Sequence, residues 1–482
     1  MRLHNTLTRK TSDFTPLIAG EVTLYTCGPT VYDYAHIGNL RAFLFYDLLR
    51  RSLVASDFKV KHVMNITDVG HLVSDADEGE DKLEKGALRE GKSVWDVGNH
   101  YTEAFKSDVS ALNILPPNGY NDHEHGDNYA RATNFIAEQV DMVKLLLERG
   151  FAYQTPQAIY FDVSKIANYG ELSGQKLADK EVGARSDVVT DPDKKHPYDF
   201  AVWFFAVGHF ADHTMHWPTP WGDGFPGWHL ECSAIIHATL GDPIDIHTGG
   251  IDHVGTHHPN EMAQTEAAFG HNLANFWMHN EFILVDGTKM SKSKGNSYTL
   301  ADLTGHGFSP LAYRMLVLQA HYRSELNFSW ESLEAAENTL LNIYAWVDKS
   351  RQQLQSAPIL GLGEKIAAAE RRIVEALQND LGSPQALAHL FGLMEFMNPY
   401  PATTYDQDLL SRFVKRLEEY FGLGLTNDRT PTAEWLKIIQ DRQTLRAAGN
   451  YEGADKLRIK LLEHGIEVKD HASGSVWRRV KV

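Results

Sequence analysis

Residues 24–51 read LYTCGPTVYDYAHIGNLRAFLFYDLLRR, and this stretch decides the fold. A short alternating strand at 22–27 comes first, a break follows at Gly28-Pro29, and a helix begins near His36. The helix has apolar residues at helical spacing, at Leu40, Phe43, Leu44, Leu48 and Leu49. Strand, turn and helix in this order are typical of the first unit of a nucleotide-binding α/β sheet.

Three kinds of chemistry meet in the turn of this stretch. Cys27 supplies a thiol, Thr30 supplies a hydroxyl, and the segment HIGN at 36–39 opens the helix. A helix N-terminus beside a small residue suits a phosphate, because its N–H groups point outward and its dipole end is positive. The turn alone only suggests a phosphate site, and whether it binds phosphate has to be judged from the rest of the chain.

Length and composition describe an ordinary globular protein. The chain has 482 residues, of which 43% are hydrophobic and 23% are charged. No apolar run approaches the roughly 20 residues of a membrane span, and the N-terminus lacks the apolar core of a secretory signal. We therefore expect a cytoplasmic protein without membrane association. Two cysteines exclude a disulfide framework.

The charge is unevenly distributed. The whole chain carries −17, which argues against a general affinity for nucleic acid, but residues 433–482 carry a net +3. A local basic surface matters more for phosphate binding than the total charge. This tail is either a nucleic-acid contact or a solvated helical face.

The order of patterns predicts the architecture. A strand at 59–66 ends in Thr67-Asp68, where an open α/β sheet presents its ligands. The alternation of strand and helix patterns is interrupted from 116 to 219, where we expect a helix at 127–150. It resumes later with a strand at 244–247.

We therefore expect an α/β fold with a Rossmann-like parallel-sheet catalytic domain, an inserted connective domain, an α-helical bundle and a small C-terminal domain. The expected bounds are 1–115 and 220–300 for the two halves of the catalytic domain, 116–219 for the insertion, 301–422 for the bundle and 433–482 for the C-terminal domain.

Both cysteines lie beside turns of the α/β domain. His257 follows Cys232 in the chain, and Glu261 lies one helical turn after His257 on the same helix face. Cys27, Cys232, a histidine and a glutamate form a reasonable zinc set. Spacing does not choose between His257 and His258 as the histidine, and a buried cysteine can also be a simple packing residue.

A basic loop follows the turn signal Asp286-Gly287. It reads KMSKS at 289–293 and combines two lysines with serines. Such a loop suits a polyphosphate that is bound transiently, and a solvated surface loop is the alternative. A helix start that suits phosphate occurs in the same predicted domain, and this favours the interpretation that the loop binds phosphate.

Several segments together carry a resemblance to a known family. In order and spacing they resemble the cysteine-specific class I aminoacyl-tRNA synthetases over essentially the whole chain. The segments are YTCGPTVYDYAHIGN, MNITDVGH, GWHLECSA, HTGGIDHVGTHHPNE, DGTKMSKSKGN, HYRSELNFSW and SGSVWRRV.

The resemblance implies roles for individual residues. It implies zinc on Cys27, Cys232, His257 and Glu261, and so favours His257 over His258. The other implied groups are an amino-acid pocket at Thr30, Thr67, Trp228 and His247, an ATP site at His36, Gly38, Asn39, Asp252 and Lys292, and catalysis by His36, Asn39, Lys289 and Lys292.

The resemblance also implies the reaction. L-Cysteine would be activated with ATP and Mg²⁺ to cysteinyl-adenylate, its thiolate held by zinc, and transferred to the 3′ end of tRNA(Cys) by a protein that we expect to be monomeric. One rival is a ligase that passes cysteine to an amino sugar, as in the mycothiol pathway. Another is a non-catalytic zinc- and RNA-binding paralogue.

One position departs from the family pattern. The last residue of the HIGN segment, often histidine in the family, is Asn39. Asparagine donates an N–H but carries no charge, so its share in stabilising the transition state is reduced.

Overall fold

The structure is a computed structural model that describes residues 1–69, 72–74, 78–175, 191–290, 295–352, 360–398, 404–471 and 474–480. The chain divides into two compact units. The first comprises Met1–Leu300 with Tyr322–Leu326, and the second comprises Ala301–His321 with Asn327–Val482. None of the described helices combines the length and apolar character needed to span a membrane.

The first unit is built on a five-stranded sheet. Its strand order is β13-β12-β3-β4-β7, and every neighbouring pair is parallel. These strands are β3 (Glu21–Thr26), β4 (Lys59–Ile66), β7 (Ala130–Arg131), β12 (Ile244–Gly250) and β13 (Ala274–Asn280). The predicted Rossmann-like sheet is therefore confirmed, as is the strand expected at 59–66.

Helix α1 (Ile37–Ala55) follows β3, as the sequence predicts. It is buried around most of its circumference, so its charged residues need partners inside the protein. Arg51 donates to Asp47 one turn earlier, at 2.7 Å, and to the carbonyl of Asn113, at 2.9 Å. Arg41 donates to the carbonyls of Phe282 and Ser324.

Further helices and short strands complete the described part of this unit. They are β1 (Arg2–Asn5), β2 (Lys10–Asp13), β5 (Leu72–Ser74), β6 (Glu78–Asp81), α2 (Lys82–Glu90), α3 (Val94–Ala111), α4 (Ile136–Glu148), α5 (Trp228–Thr239) and α6 (His257–Phe269).

A separate antiparallel sheet interrupts the main one. Its order is β11-β10-β9-β8, formed by β8 (Ala152–Gln154), β9 (Ala158–Phe161), β10 (Phe200–Phe205) and β11 (Gly224–Pro226). The range expected to be the insertion also contributes β7 to the main sheet. Part of the chain between β9 and β10, at 176–190, lies outside the described residues.

The helix expected at 127–150 begins later than predicted. Ala130–Arg131 pairs in parallel with Asn65 and Ile66, and the α-helix starts at Ile136 after a short 3₁₀ turn. Asp127 accepts the N–H of Tyr129 at 3.0 Å, a local bond that competes with helix formation. Pairing with a distant strand therefore overrides the helical pattern of this segment.

The chain returns to the start of α1 after the basic loop. Strands β14 (Ile283–Val285) and β15 (Thr288–Lys289) form a hairpin, and both residues of its turn, Asp286 and Gly287, have positive φ. Residues 291–294 lie outside the described part, so the structure says nothing of Lys292. Beyond them, the carbonyl of Tyr298 accepts the N–H of Ile37 at 2.8 Å.

The second unit is mainly helical, as the sequence predicts. A small antiparallel hairpin, β16 (Ile466–His471) with β17 (Gly474–Arg479), follows its last helix. The helices are α7 (Leu300–Gly305), which starts at the boundary, α8 (Pro310–Leu318), α9 (Trp330–Arg351), α10 (Leu362–Gln378), α11 (Ser383–Met397), α12 (Thr404–Phe421), α13 (Ala433–Ala447) and α14 (Tyr451–Leu462).

Gly28 lies where the turn after β3 touches the end of β4. A Cβ at this position would lie 1.6 Å from the carbonyl oxygen of Asn65. We expect Gly28→Ala to lower the free energy of unfolding by about 2 kcal/mol, because backbone has to move to relieve the clash. Urea denaturation followed by tryptophan fluorescence measures this.

Gly98→Ala is the matched control, since its added Cβ would meet its nearest neighbour at 3.9 Å inside helix α3. This substitution should not destabilise the protein. Equal stability of Gly28→Ala and the wild-type protein would contradict the tight contact.

Candidate active site

A cavity of about 480 Å³ lies at the carboxyl edge of the main sheet. Cys27 follows β3, Thr67 follows β4, and Asp252 follows β12, and all three line this cavity. Ligands bind at this edge in open α/β sheets because the chain crosses to opposite faces there. Other predicted residues in the wall are Thr30, His36, Gly38, Asn39, Trp228, Cys232, His257 and Lys289.

The four predicted zinc ligands converge at one end of the cavity. The ligand atoms of Cys27, Cys232, His257 and Glu261 all lie within 4.8 Å of one another, and all four residues are buried. Nε2 of His257 lies 3.7 Å from Sγ of Cys232. Tetrahedral zinc sites separate their ligand atoms by about 3.3–3.8 Å, so soft sulfur and imidazole donors at this spacing fit zinc.

A second grouping shares two of these ligands. It joins Cys27 and Glu261 with His247 and His258. Nε2 of His258 lies 3.3 Å from Sγ of Cys27, and its Nδ1 lies 2.7 Å from Nε2 of His279. His257 lines the cavity, whereas His247 and His258 do not. Only the first grouping therefore has a histidine in the cavity wall.

His247 lies behind the cluster and not in the cavity wall, where the family resemblance would put it. Its Nε2 lies 2.5 Å from Oε2 of Glu261, and both side chains are fully buried. The other oxygen of Glu261, Oε1, lies 2.7 Å from Nε2 of His257. His247 therefore orients the carboxylate that faces the cluster, as an outer partner of a metal ligand does.

Burial and charge shift the pKa values of this cluster in opposite directions. Burial raises the pKa of the Cys27 thiol, whereas a hydrogen bond from Cys27 lowers the pKa of Cys232 to about 6. Burial opposes a charged His257, but Glu261 and Cys232 together outweigh it and raise the pKa of His257 to about 10. The cluster thus already stabilises a thiolate and a carboxylate, the forms that a metal binds.

One side of the cavity is formed by two adjoining strand ends. Thr30 and Thr67 form a parallel bridge, in which Val31 N–H donates to the Thr67 carbonyl at 3.2 Å and Thr67 N–H donates to Pro29 at 3.0 Å. The ring of Trp228 stacks on the imidazole of His257, with centroids 4.1 Å apart. This wall is rigid because backbone hydrogen bonds and ring stacking hold it.

The start of α1 forms another side of the cavity. Asn39 N–H donates to Nδ1 of His36 at 3.1 Å, and His36 N–H donates to Oδ1 of Asn39 at 3.1 Å. The two residues therefore form a reciprocal capping box. Because Nδ1 of His36 accepts a hydrogen bond, the hydrogen of the neutral ring lies on Nε2, which is a donor suited to phosphate.

Three residues of functional interest were not identified from sequence. Asn65 and Lys82 line the cavity, and Glu231 lies behind it, fully buried. Glu231 directly precedes the predicted ligand Cys232 in a helix that is otherwise buried and largely apolar. A glutamate in such a helix was the available signal, because a buried carboxyl needs a polar partner.

Asn39 has a structural role that its departure from the family pattern conceals. We expect Asn39→Ala to weaken the first turn of α1 by about 1 kcal/mol, since the acceptor for the His36 N–H is lost. Hydrogen–deuterium exchange of the peptide spanning 36–41 should become roughly fivefold faster. Asn39→Asp keeps the acceptor and should exchange like the wild type, whereas unchanged exchange in Asn39→Ala would exclude the capping role.

Comparisons with known proteins identify the family of the chain. Residues 13–338 match the family "tRNA synthetases class I (C) catalytic domain", and residues 372–426 match the DALR domain. A cysteine–tRNA ligase of Treponema denticola is 38% identical, with all of both chains covered. Cysteine–tRNA ligase 1 of Burkholderia lata is 43% identical over 98% of this chain and 96% of the relative.

Solved structures agree at the level of the fold. The Mycobacterium tuberculosis methionyl-tRNA synthetase in complex with methionyl-adenylate superimposes with a TM-score of 0.60 at 13% identity, covering 84% of this chain and 92% of the other. The LeuRS of Agrobacterium radiobacter, in a ternary complex with tRNA, superimposes with a TM-score of 0.58 at 12% identity. The match covers 87% of this chain and 86% of the other.

The fold is thus that of a class I tRNA synthetase, an enzyme of the aminoacyl-tRNA synthetase class. Within that class, the chain belongs to the cysteine–tRNA ligase family.

Proposed function

We propose that this enzyme activates L-cysteine with ATP and transfers it to the 3′ end of tRNA(Cys). The convergence of Cys27, Cys232, His257 and Glu261 beside the nucleotide-binding helix start is the observation that carries this proposal. Relatives named cysteine–tRNA ligase match the chain over nearly its whole length, which supports the same reaction.

The buried cluster is proposed to hold one zinc ion through these four residues. When bound, zinc supplies a soft Lewis acid that prefers the thiolate of cysteine to the hydroxyl of serine. A pocket that relied on shape alone would separate these two amino acids poorly, because they are almost the same size. Thr30, Thr67 and Trp228 would surround the rest of the amino acid.

Activation needs little covalent chemistry from the protein. The carboxylate oxygen of cysteine attacks the α-phosphorus of ATP, and pyrophosphate leaves with its bound Mg²⁺. Nε2 of His36 and the start of α1 would hold the phosphates, and Asp252 would lie beside the nucleotide. Lys289, with Lys292 outside the described residues, would neutralise the leaving pyrophosphate.

The end of the second unit has features that suit RNA. Tyr451 is 60% exposed, and the guanidinium of Arg446 lies 5.7 Å from its ring centroid. Exposed aromatic rings beside cations stack on unpaired bases. We propose that residues 433–482 contact the anticodon side of the tRNA and that 116–219 guide its acceptor end, which also distinguishes this enzyme from an amino-sugar ligase.

Zinc analysis separates the two possible ligand groupings. Purified protein should contain about one zinc per chain by mass spectrometry. His257→Ala should weaken zinc binding more than about 100-fold, because it removes a ligand. His258→Ala is the matched control and should retain zinc. Loss in His258→Ala with retention in His257→Ala would support the alternative grouping with His247.

Amino-acid selectivity tests the reaction itself. Cysteine-dependent ATP–pyrophosphate exchange should exceed serine-dependent exchange by more than about 1,000-fold, since only a thiolate binds strongly to the proposed metal. Charging of tRNA(Cys) with radiolabelled cysteine completes the test, with a glucosaminyl-inositol as the competing acceptor. Similar exchange with serine, or transfer only to the amino sugar, would refute the proposal.

A further inference from the structure

A half-exposed aromatic ring lies in the wall of the cavity. Tyr34 lines the cavity and is 49% exposed, so its ring lies where the cavity meets the solvent. The rings of His100 and Tyr101 meet it edge to face, with centroids 5.9 Å and 5.0 Å away. Within the described residues, no ring stacks in parallel on Tyr34. Half of its surface is thus left for a partner.

Helix α3 fixes the orientation of this ring. The hydroxyl of Tyr34 forms a hydrogen bond with Nε2 of His100, at 3.2 Å. Tyr101 is itself buried, and its hydroxyl donates to Glu90 and accepts from Arg89. An aromatic side chain that is already held in place loses little conformational entropy when a ligand binds. Tyr34 is therefore better suited to binding than a freely rotating surface side chain.

A cation belongs to the same wall of the cavity. Lys82 is the first residue of helix α2 and lines the cavity. Its Nζ lies 5.4 Å from the ring centroid of Tyr32, which is another residue of this wall. An aromatic ring and a cation together match the two parts of an unpaired nucleotide, because the base stacks on the ring and the phosphate attracts the cation.

The proposed reaction requires a third reactant in this cavity. Cysteine would lie at the buried cluster, and ATP would lie at the start of α1 near Lys289. The ring of Tyr34 is held by α3, whereas Lys289 belongs to the hairpin of β14 and β15. The proposed arrangement of the two small reactants does not use the part of the wall at α3. The transfer step brings the 3′ end of tRNA into the same cavity, and this end has to pass its mouth.

We propose that Tyr34 stacks on the base of the unpaired 3′-terminal nucleotide of tRNA and that Lys82 lies beside the phosphate of this nucleotide. The ring would bind the base and take no part in making or breaking bonds. Its effect would be to hold the terminal ribose within reach of cysteinyl-adenylate. The inference rests on the proposed function.

Binding of two RNAs tests the stacking: complete tRNA(Cys), and the same RNA without its 3′-terminal nucleotide. Fluorescence anisotropy measures both affinities at one salt concentration, with a non-reactive sulfamoyl analogue of cysteinyl-adenylate bound to the enzyme. Wild-type protein should bind the complete tRNA about tenfold more tightly than the shortened one, because the shortened RNA lacks the stacked base. In Tyr34→Ala this ratio should fall to about twofold or less.

Two further variants separate stacking from a structural role. Tyr34→Phe keeps the flat ring and should keep the ratio, whereas Tyr34→Leu keeps an apolar side chain without a ring and should lose it. This pair decides the matter if Tyr34→Ala does not fold. Leu17→Ala is the matched control, since Leu17 is also 49% exposed but lies at the opposite edge of the sheet, where its N–H donates to Asp245 in the first turn of strand β12. It should keep the ratio.

Lys82→Met tests the phosphate contact. For the complete tRNA, the slope of log affinity against log salt concentration should become about 0.7 smaller in magnitude, as expected for the loss of one contact to a single-stranded phosphate. An unchanged slope would exclude Lys82 from the site.

Equal binding of both RNAs by the wild type would overturn the inference, as would a wild-type ratio in both Tyr34→Ala and Tyr34→Leu. A loss of ATP–pyrophosphate exchange in Tyr34→Ala as large as its loss of tRNA charging would also overturn it, because the ring would then serve ATP. Failure of the proposed function is a different result: wild-type protein would show neither cysteine-dependent exchange nor charging.

Discussion

The active site depends on one close contact, in which the turn after β3 lies directly against the end of β4. Gly28 leaves no room for a side chain between itself and Asn65. Hydrogen bonds at Pro29, Val31 and Thr67 then continue the strand pairing into the turn. Two loops that would otherwise move independently thus become one rigid edge, as precise alignment of two reactants requires.

The buried cluster beyond this edge is organised around charge. A carboxylate in the interior is costly unless its partners are close, and Glu261 has His247 on one side and His257 on the other. These two imidazoles lower the pKa of Glu261 although burial alone would raise it. The same carboxylate helps to raise the pKa of His257 to about 10, and burial raises the pKa of Cys27, so metal binding has to release a proton from each of these two residues.

The two sides of the cavity use different physical means. One side is lined by strand ends and by the stacked pair Trp228 and His257, whereas the other is a capped helix start at His36 and Asn39. In this chain Asn39 completes the capping box through an oxygen that accepts from His36 N–H. Its amide thus stabilises the first turn of the helix and adds no charge to the cavity wall, whereas Lys289 in the same wall carries one.

Local patterns predicted well where local physics decides the conformation. The strand at 59–66, the helix His257–Phe269 and the turn at Asp286-Gly287 were all predictable from periodicity and turn chemistry. The segment 127–150 was not, because Ala130–Arg131 pairs with a strand more than sixty residues away. No short window of sequence contains that partner.

The sequence by itself determined the alternation of strands and helices, the family and the types of residue available to the site. Only the tertiary structure decided which of two adjacent histidines reaches the cavity, because consecutive residues of a helix point about 100° apart. It also decided that His247 supports Glu261 and that Thr67 donates a hydrogen bond to Glu231. These pairs join segments distant in the chain, and their contact depends on how strands and helices pack.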